Sequence, residues 1–271
     1  MGTVFSHYPQ QIIYVVRECD VRKVLGNSSI SCVITTPPLI TMLPDKIGIV
    51  STQDPRSVFY ALQAELSQQP EFFLQPFSNR ISPSAKIHPS AVISATSVVI
   101  GRDVIIEKNV IVNEQAIIDD GCIIRSNSII GNTPLPSSGA MIGPVLKPSG
   151  GVYLHREVDI HANTHLHRAI FKGYTDIGEQ TKIDNLDIVG PGTTIGKHCL
   201  ICAGVTIGES VIIGDDAWIG PNATLENQIS IGKNVYITIG STVTHDIDDD
   251  KVVKDNYAID RKRFKKVIRG M

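Results

Sequence analysis

No stretch of this 271-residue chain approaches the ~18 to 20 consecutive apolar residues that a helix needs to cross a bilayer. The first residues also lack the charged-then-apolar order of a secretory signal, so a soluble, cytoplasmic protein is expected. An excess of one charge is missing as well. The 25 Lys and Arg against 27 Asp and Glu leave a net charge of -2, and no broad basic surface speaks for a nucleic-acid partner. Cysteines are few and odd in number, at five, which argues against a disulfide framework and for a reducing compartment.

What the chain does have is a beat of six. Ile177, Ile183, Val189, Ile195, Ile201, Ile207, Ile213, Ile219, Leu225, Ile231, Ile237 and Val243 follow one another without a miss. Small or apolar residues such as Thr181, Thr193, Cys199, Val205 and Ala217 hold the fifth position of each unit. Neither a helix nor a two-sided strand repeats this way; a six-residue period of this kind predicts a parallel β-helix. The beat is also present earlier, at Ile100 to Ile130, at Ile81, Ile87 and Ile93 one residue out of step, and at Leu154, Ile160 and Leu166. Cys122 and Cys199 fall on fifth positions, where a thiol serves as a small hydrophobe.

Three regions follow. Residues 1–80 lack the beat and read as a small α/β unit, with strands near Ile12 to Val16, Cys32 to Thr36 and Ile47 to Ser51. A helix should follow, capped by Asp54 with Pro55 in its first turn and Val58, Phe59, Leu62 and Leu66 on its apolar face. The β-helix should run over 81–247, in roughly eight coils if each coil uses three units. Four prolines among glycines and serines make 132–151 a loop thrown out of the stack. The tail, 248–271, has eight Lys or Arg from Lys251 onward and could form a short basic helix able to dock an acidic carrier protein or simply cap the coil.

The segment from 158 to 204, with ANT at 162–164, Arg168 and KIDNL at 182–186, resembles the UDP-3-O-acylglucosamine N-acyltransferases of lipid A biosynthesis. CVITTPPL at 32–39, DPRSVFYAL at 54–62 and IHPSA at 87–91 are similar to the same family. The resemblance implies a left-handed β-helix, a homotrimer with sites between subunits, a nucleotide-sugar acceptor, and an acyl-carrier-protein or coenzyme A thioester as co-substrate with no other cofactor. It also implies a histidine base seven residues after the Asp of KIDN. That Asp is Asp184, but the base position holds Pro191, and a second position where the family commonly has histidine holds Gln228.

Histidine is instead concentrated in one coil, at His155, His161, His165 and His167. His155, His161 and His167 each follow the leading aliphatic of successive units, so a three-sided coil should turn them to three different faces, and no metal site is expected within one chain. Counting three units onward from His167, through the irregular turn at Ile170 to Tyr174, places Asp184 above it, within reach across strands ~4.8 Å apart. An amine attacking a thioester must lose a proton, and an imidazole suits that task. His167 is therefore the expected base, Asp184 its orienter and His165 the reserve. Cys202 continues the stack, while His198, His245, His88 and His7 read as solvated or structural positions; Trp218 suits packing against a neighbouring subunit or ordinary surface packing. Two other readings are a non-catalytic relative that binds a sugar nucleotide or carrier protein, and a zinc enzyme of the γ-carbonic-anhydrase type with its metal at a trimer interface.

Overall fold

The computed structural model describes residues 1–5, 8–134 and 147–254. A basic C-terminal helix and the tip of the 132–151 loop therefore lie outside the described residues, as does His7. Among the described residues no helix is long and apolar enough to cross a membrane.

The chain begins with a three-stranded parallel sheet in the order β1 (Gln11–Val15), β2 (Ile30–Thr35), β3 (Gly48–Ser51). Helix α1 (Glu18–Leu25) connects β1 to β2 and helix α2 (Pro55–Leu66) follows β3. The sequence signals for α2 hold at its start, where the Asp54 carboxylate accepts the Ser57 N–H at 3.1 Å and Pro55 occupies the first turn. The buried face differs from expectation: Pro55, Phe59 and Gln63 point inward and Val58 is exposed. Phe59 is fully enclosed because its ring meets Tyr14 at 5.1 Å and Phe171 of the β-helix at 5.6 Å, which ties the two regions together. Helix α1 has no side-chain cap and no long apolar stripe, but its acidic first turn (Glu18, Asp20) and basic last turn (Arg22, Lys23) suit the helix dipole. Lys23 reaches across to the Gln228 carbonyl at 3.3 Å and Asp246 at 3.1 Å, a second tie.

From Arg80 onward the strands of the described residues stack into three parallel sheets of eight, nine and eight members, the faces of a left-handed β-helix. Each six-residue unit makes one short strand and one corner. Its leading aliphatic points inward, and these residues form one continuous core with exposures of 0 to 1% along most of its length. Aligned residues are 18 apart in the regular part, as in Ile183, Ile201, Ile219 and Ile237. The corners turn through a residue in the left-handed region, usually Asn, Asp or Gly, which tolerate it. Leu186, in the KIDNL motif, takes this conformation at φ 65° and is 64% exposed. An ordinary side chain there costs about 1–2 kcal/mol, so Leu186→Asn should raise stability by about 1 kcal/mol in urea unfolding.

Fifth-position side chains with a hydroxyl form a second, polar ladder inside the coil. Thr164 shows the rule: its Oγ1 donates to the Asp184 carbonyl of the coil above at 2.6 Å and accepts the Asp187 N–H at 3.2 Å. Ser128, Thr181 and Thr193 repeat both bonds. Cys32, Cys122, Cys199 and Cys202 are free thiols, and burial pushes the Cys122 thiol up to about 12 and Cys199 up to about 11.

One irregularity sets the geometry of everything that follows. Between the strands His165–His167 and Tyr174–Ile177, residues 169–173 bulge out of a corner, so Leu154 aligns with Ile177 and Ile160 with Ile183, 23 residues apart rather than 18.

Candidate functional site

The three corner histidines lie where the unit spacing put them. His155, His161 and His167 follow Leu154, Ile160 and Leu166, which belong to three different sheets, and they cannot converge on one ion within the chain. The pairing of His167 with Asp184 fails. Because the bulge adds residues to the coil, Asp184 sits above His161, with Nδ1 of His161 3.5 Å from its Oδ1. Asp159, itself held by Arg125 at 2.9 Å, is 3.5 Å from the other ring nitrogen of His161. Oδ1 of Asp184 also accepts both N–H groups of Asn185 at 2.7 Å, so the KIDN aspartate pins its own corner.

His167 stands at a different corner. Burial, and then the neighbouring His165, hold its imidazolium below the usual histidine range, so it is neutral at pH 7. Its carbonyl accepts the Thr175 hydroxyl at 2.7 Å, and the same hydroxyl accepts the Gly192 N–H at 2.9 Å. His165 points outward from the same strand, in register between Ile129 and Ile188. The Cys202 thiol is raised by burial and by Asp184 and Asp187, which keeps it protonated and poorly nucleophilic. His198 pairs with Asp216 at 3.3 Å and His88 with Ser90 at 2.9 Å, both on the surface, and His245 is exposed. Trp218 stacks on Tyr236 of its own chain, with ring centroids 4.2 Å apart.

The concave feature nearest this chemistry is a cleft of about 430 Å³ between the two regions. Thr3, Phe5, Tyr8 and Pro9, which precede β1, form one wall, and the bulge from Ala169 to Gly173 forms another. Its floor is the outer face of one sheet, with Tyr174, Asp176 and Thr194, and the adjoining corner, with Pro191 and Gly192. Pro191 thus sits in a cleft even though it offers no base. Gln228, the other substituted position, lines an adjoining pocket of about 260 Å³ with Arg17, Tyr14, Tyr60 and Glu209. At the cleft, Lys172 donates to the Glu71 carbonyl at 3.0 Å and lies 5.5 Å from the Tyr8 ring.

A contact that the unit count missed lies along the same floor. Nε2 of His155 is 3.0 Å from Oδ1 of Asp176, and the His155 ring stacks on Tyr153 with centroids 4.0 Å apart. Tyr153 and Asp176 are aligned neighbours in one sheet, a register that only the size of the bulge reveals.

The description "bacterial transferase hexapeptide (six repeats)" matches residues 97–132 and 210–245. A 54-residue stretch is 50% identical to a UDP-3-O-acylglucosamine N-acyltransferase of Oleidesulfovibrio alaskensis, covering 20% of this chain and 16% of that one. A second such enzyme, from Nitrobacter winogradskyi, is 46% identical over 54 residues, again 20% of this chain and 16% of the relative. Among solved structures, a UDP-N-acetylglucosamine acyltransferase from Campylobacter jejuni shares the fold with a TM-score of 0.52 at 17% identity, over 70% of this chain and 82% of that one. The chain therefore carries transferase hexapeptide repeats and, over a short segment, resembles the N-acyltransferases.

Proposed function

We propose that the protein transfers an acyl group from a thioester, on acyl carrier protein or coenzyme A, to the amine of a nucleotide-linked amino sugar in the cleft between its two regions. The observation that carries this reading is the cleft itself. It lies at the corner where the resembling enzymes have their base, and its volume is in the range of small-molecule sites. Tyr8 and Tyr174 offer faces on which a nucleobase can stack, and Lys172 offers a cation for a diphosphate. The adjoining pocket adds Tyr14, Tyr60 and Arg17, room for the remainder of an extended acceptor.

Assembly as a homotrimer belongs to the same proposal. Outward-facing Ile188 on one sheet and Leu200 and Tyr236 on another are each 40 to 43% exposed, apolar side chains on two faces that suit contact with neighbouring copies. A cytoplasmic location suits a thioester donor of either kind. Pro191 favours a second reading, in which the chain binds the sugar nucleotide and transfers nothing.

Calorimetry with UDP-glucosamine tests the cleft. Binding should weaken about tenfold in Lys172→Ala, a loss of about 1.4 kcal/mol. An unchanged dissociation constant would remove the cleft as the acceptor site.

A further inference from the structure

We infer that His155, oriented by Asp176, is the general base of this acyl transfer. The inference rests on the acyl-transfer reading and supplies what that reading lacks, since position 191 has no titratable group and Asp184 is bonded elsewhere. A base of this kind needs a carboxylate that fixes its tautomer, a ring held in one orientation, and access to the amine. His155 has the first in the 3.0 Å contact from Nε2 to Asp176. With Nε2–H donated to the carboxylate, Nδ1 keeps the lone pair. The second comes from Tyr153, whose ring lies 24° from parallel with the imidazole and whose hydroxyl donates to Asp119 at 2.9 Å. For the third, His155 itself lies just outside the cleft lining, 3.0 Å from Asp176, which does line it, and 36% of the His155 side chain is open to solvent, where an acceptor extending past Asp176 meets it.

The other histidines meet fewer of these conditions. His161 lies between two carboxylates and faces another corner. His167 is neutral but has no orienting carboxylate among the described residues. The titratable groups around His155 are Asp176, Tyr153, Asp119 and Tyr174. Burial, and then the Asp119 hydrogen bond, push Tyr153 up to about 12, so it keeps its proton across the working range. In the reaction the amine nitrogen bonds to the thioester carbonyl carbon while Nδ1 takes the amine proton. The tetrahedral intermediate then collapses, the C–S bond breaks, and the imidazolium returns that proton to the departing thiolate.

The test is turnover of acyl-coenzyme A with UDP-glucosamine, followed over pH in the full-length protein. His155→Ala and His155→Gln should each lower kcat at least 100-fold, leave the UDP-glucosamine dissociation constant within about threefold, and abolish the acid limb of the kcat profile. Asp176→Asn should lower kcat about tenfold or more and leave the UDP-glucosamine dissociation constant within about threefold, because the carboxylate that orients the ring is gone while the acceptor contacts remain. Wild-type turnover with an intact acid limb in both His155 variants would overturn the assignment, as would an acid limb that disappears in His167→Ala instead. A wild-type protein that binds UDP-glucosamine and consumes no thioester would overturn the acyl-transfer reading, and the base with it.

Discussion

Replacing Asp187 by asparagine should stabilise the fold by about 4 kcal/mol at pH 7 and by almost nothing at pH 4. Asp187 occupies an inward fifth position, between Thr164, whose hydroxyl both accepts and donates, and Val205. Its Oδ1 does the accepting, from the Val205 N–H at 2.7 Å. Its Oδ2 has no hydrogen-bond partner, and the residue is 1% exposed. An ionised carboxylate cannot donate to the ladder and is poorly solvated there, so burial pushes its pKa up to about 8. The unfolded chain gives up this proton near pH ~3.9. Between there and about 8 folding must take up a proton, and stability falls by about 1.4 kcal/mol per pH unit as pH rises, levelling off above the folded value. Asparagine keeps the acceptor and has no charge to exclude. Urea unfolding of both proteins from pH 4 to 9 checks this: the gap between them should widen to about pH 8, and a gap independent of pH would mean that Asp187 is ionised in the folded protein.

Gly150→Ala should cost about 2–3 kcal/mol and weaken acceptor binding with it. A Cβ at this position would run into the carbonyl oxygens of Phe171 and Gly173 and the side chain of Ala169. Those atoms belong to the bulge, which is also held by Gly150 N–H to the Ala169 carbonyl at 3.1 Å and by Arg168 Nε to the Gly150 carbonyl at 2.9 Å. Arg168 is nearly buried and pairs with Glu114 at 3.0 Å, so its end of the bulge has little freedom to yield. The displaced segment would be the cleft wall from Ala169 to Gly173. Unfolding and UDP-glucosamine calorimetry on the same variant should show both losses; a destabilised variant with unchanged affinity would mean that the bulge is not part of the acceptor site.

The architecture was legible because inward packing in a coil repeats with the chain, so a list of aliphatics every six residues is already a list of core positions. Separating the three corner histidines needed only that period. The partners of those histidines could not be read the same way. A residue's neighbour in the next coil depends on how many residues the intervening corners contain, and the corner at 169–173 leaves no periodic trace of its length. That is why a count through it put Asp184 above His167, when the extra residues carry it to His161 and bring Asp176 to His155. Asp187 was visible in principle, as an acid in a column of small and apolar residues. Helix α1 gave less to read: at eight residues it has no capping side chain, and it buries Val21 and Val24 while Leu25 is exposed. The apolar face of α2 rotated toward Phe59 and Gln63 because β1 and the bulge supply its aromatic partners, Tyr14 and Phe171.

The central claim is that the cleft beside His155 and Asp176 acylates an amino-sugar nucleotide. It is tested most directly by incubating the wild-type protein with UDP-glucosamine and a series of acyl-coenzyme A and acyl-carrier-protein thioesters, with thiol release followed alongside product mass. The account predicts thiol released in step with an N-acylated nucleotide sugar for at least one chain length. Binding of UDP-glucosamine with no thiol release for any donor would contradict it and leave a sugar-nucleotide-binding protein built on a transferase fold.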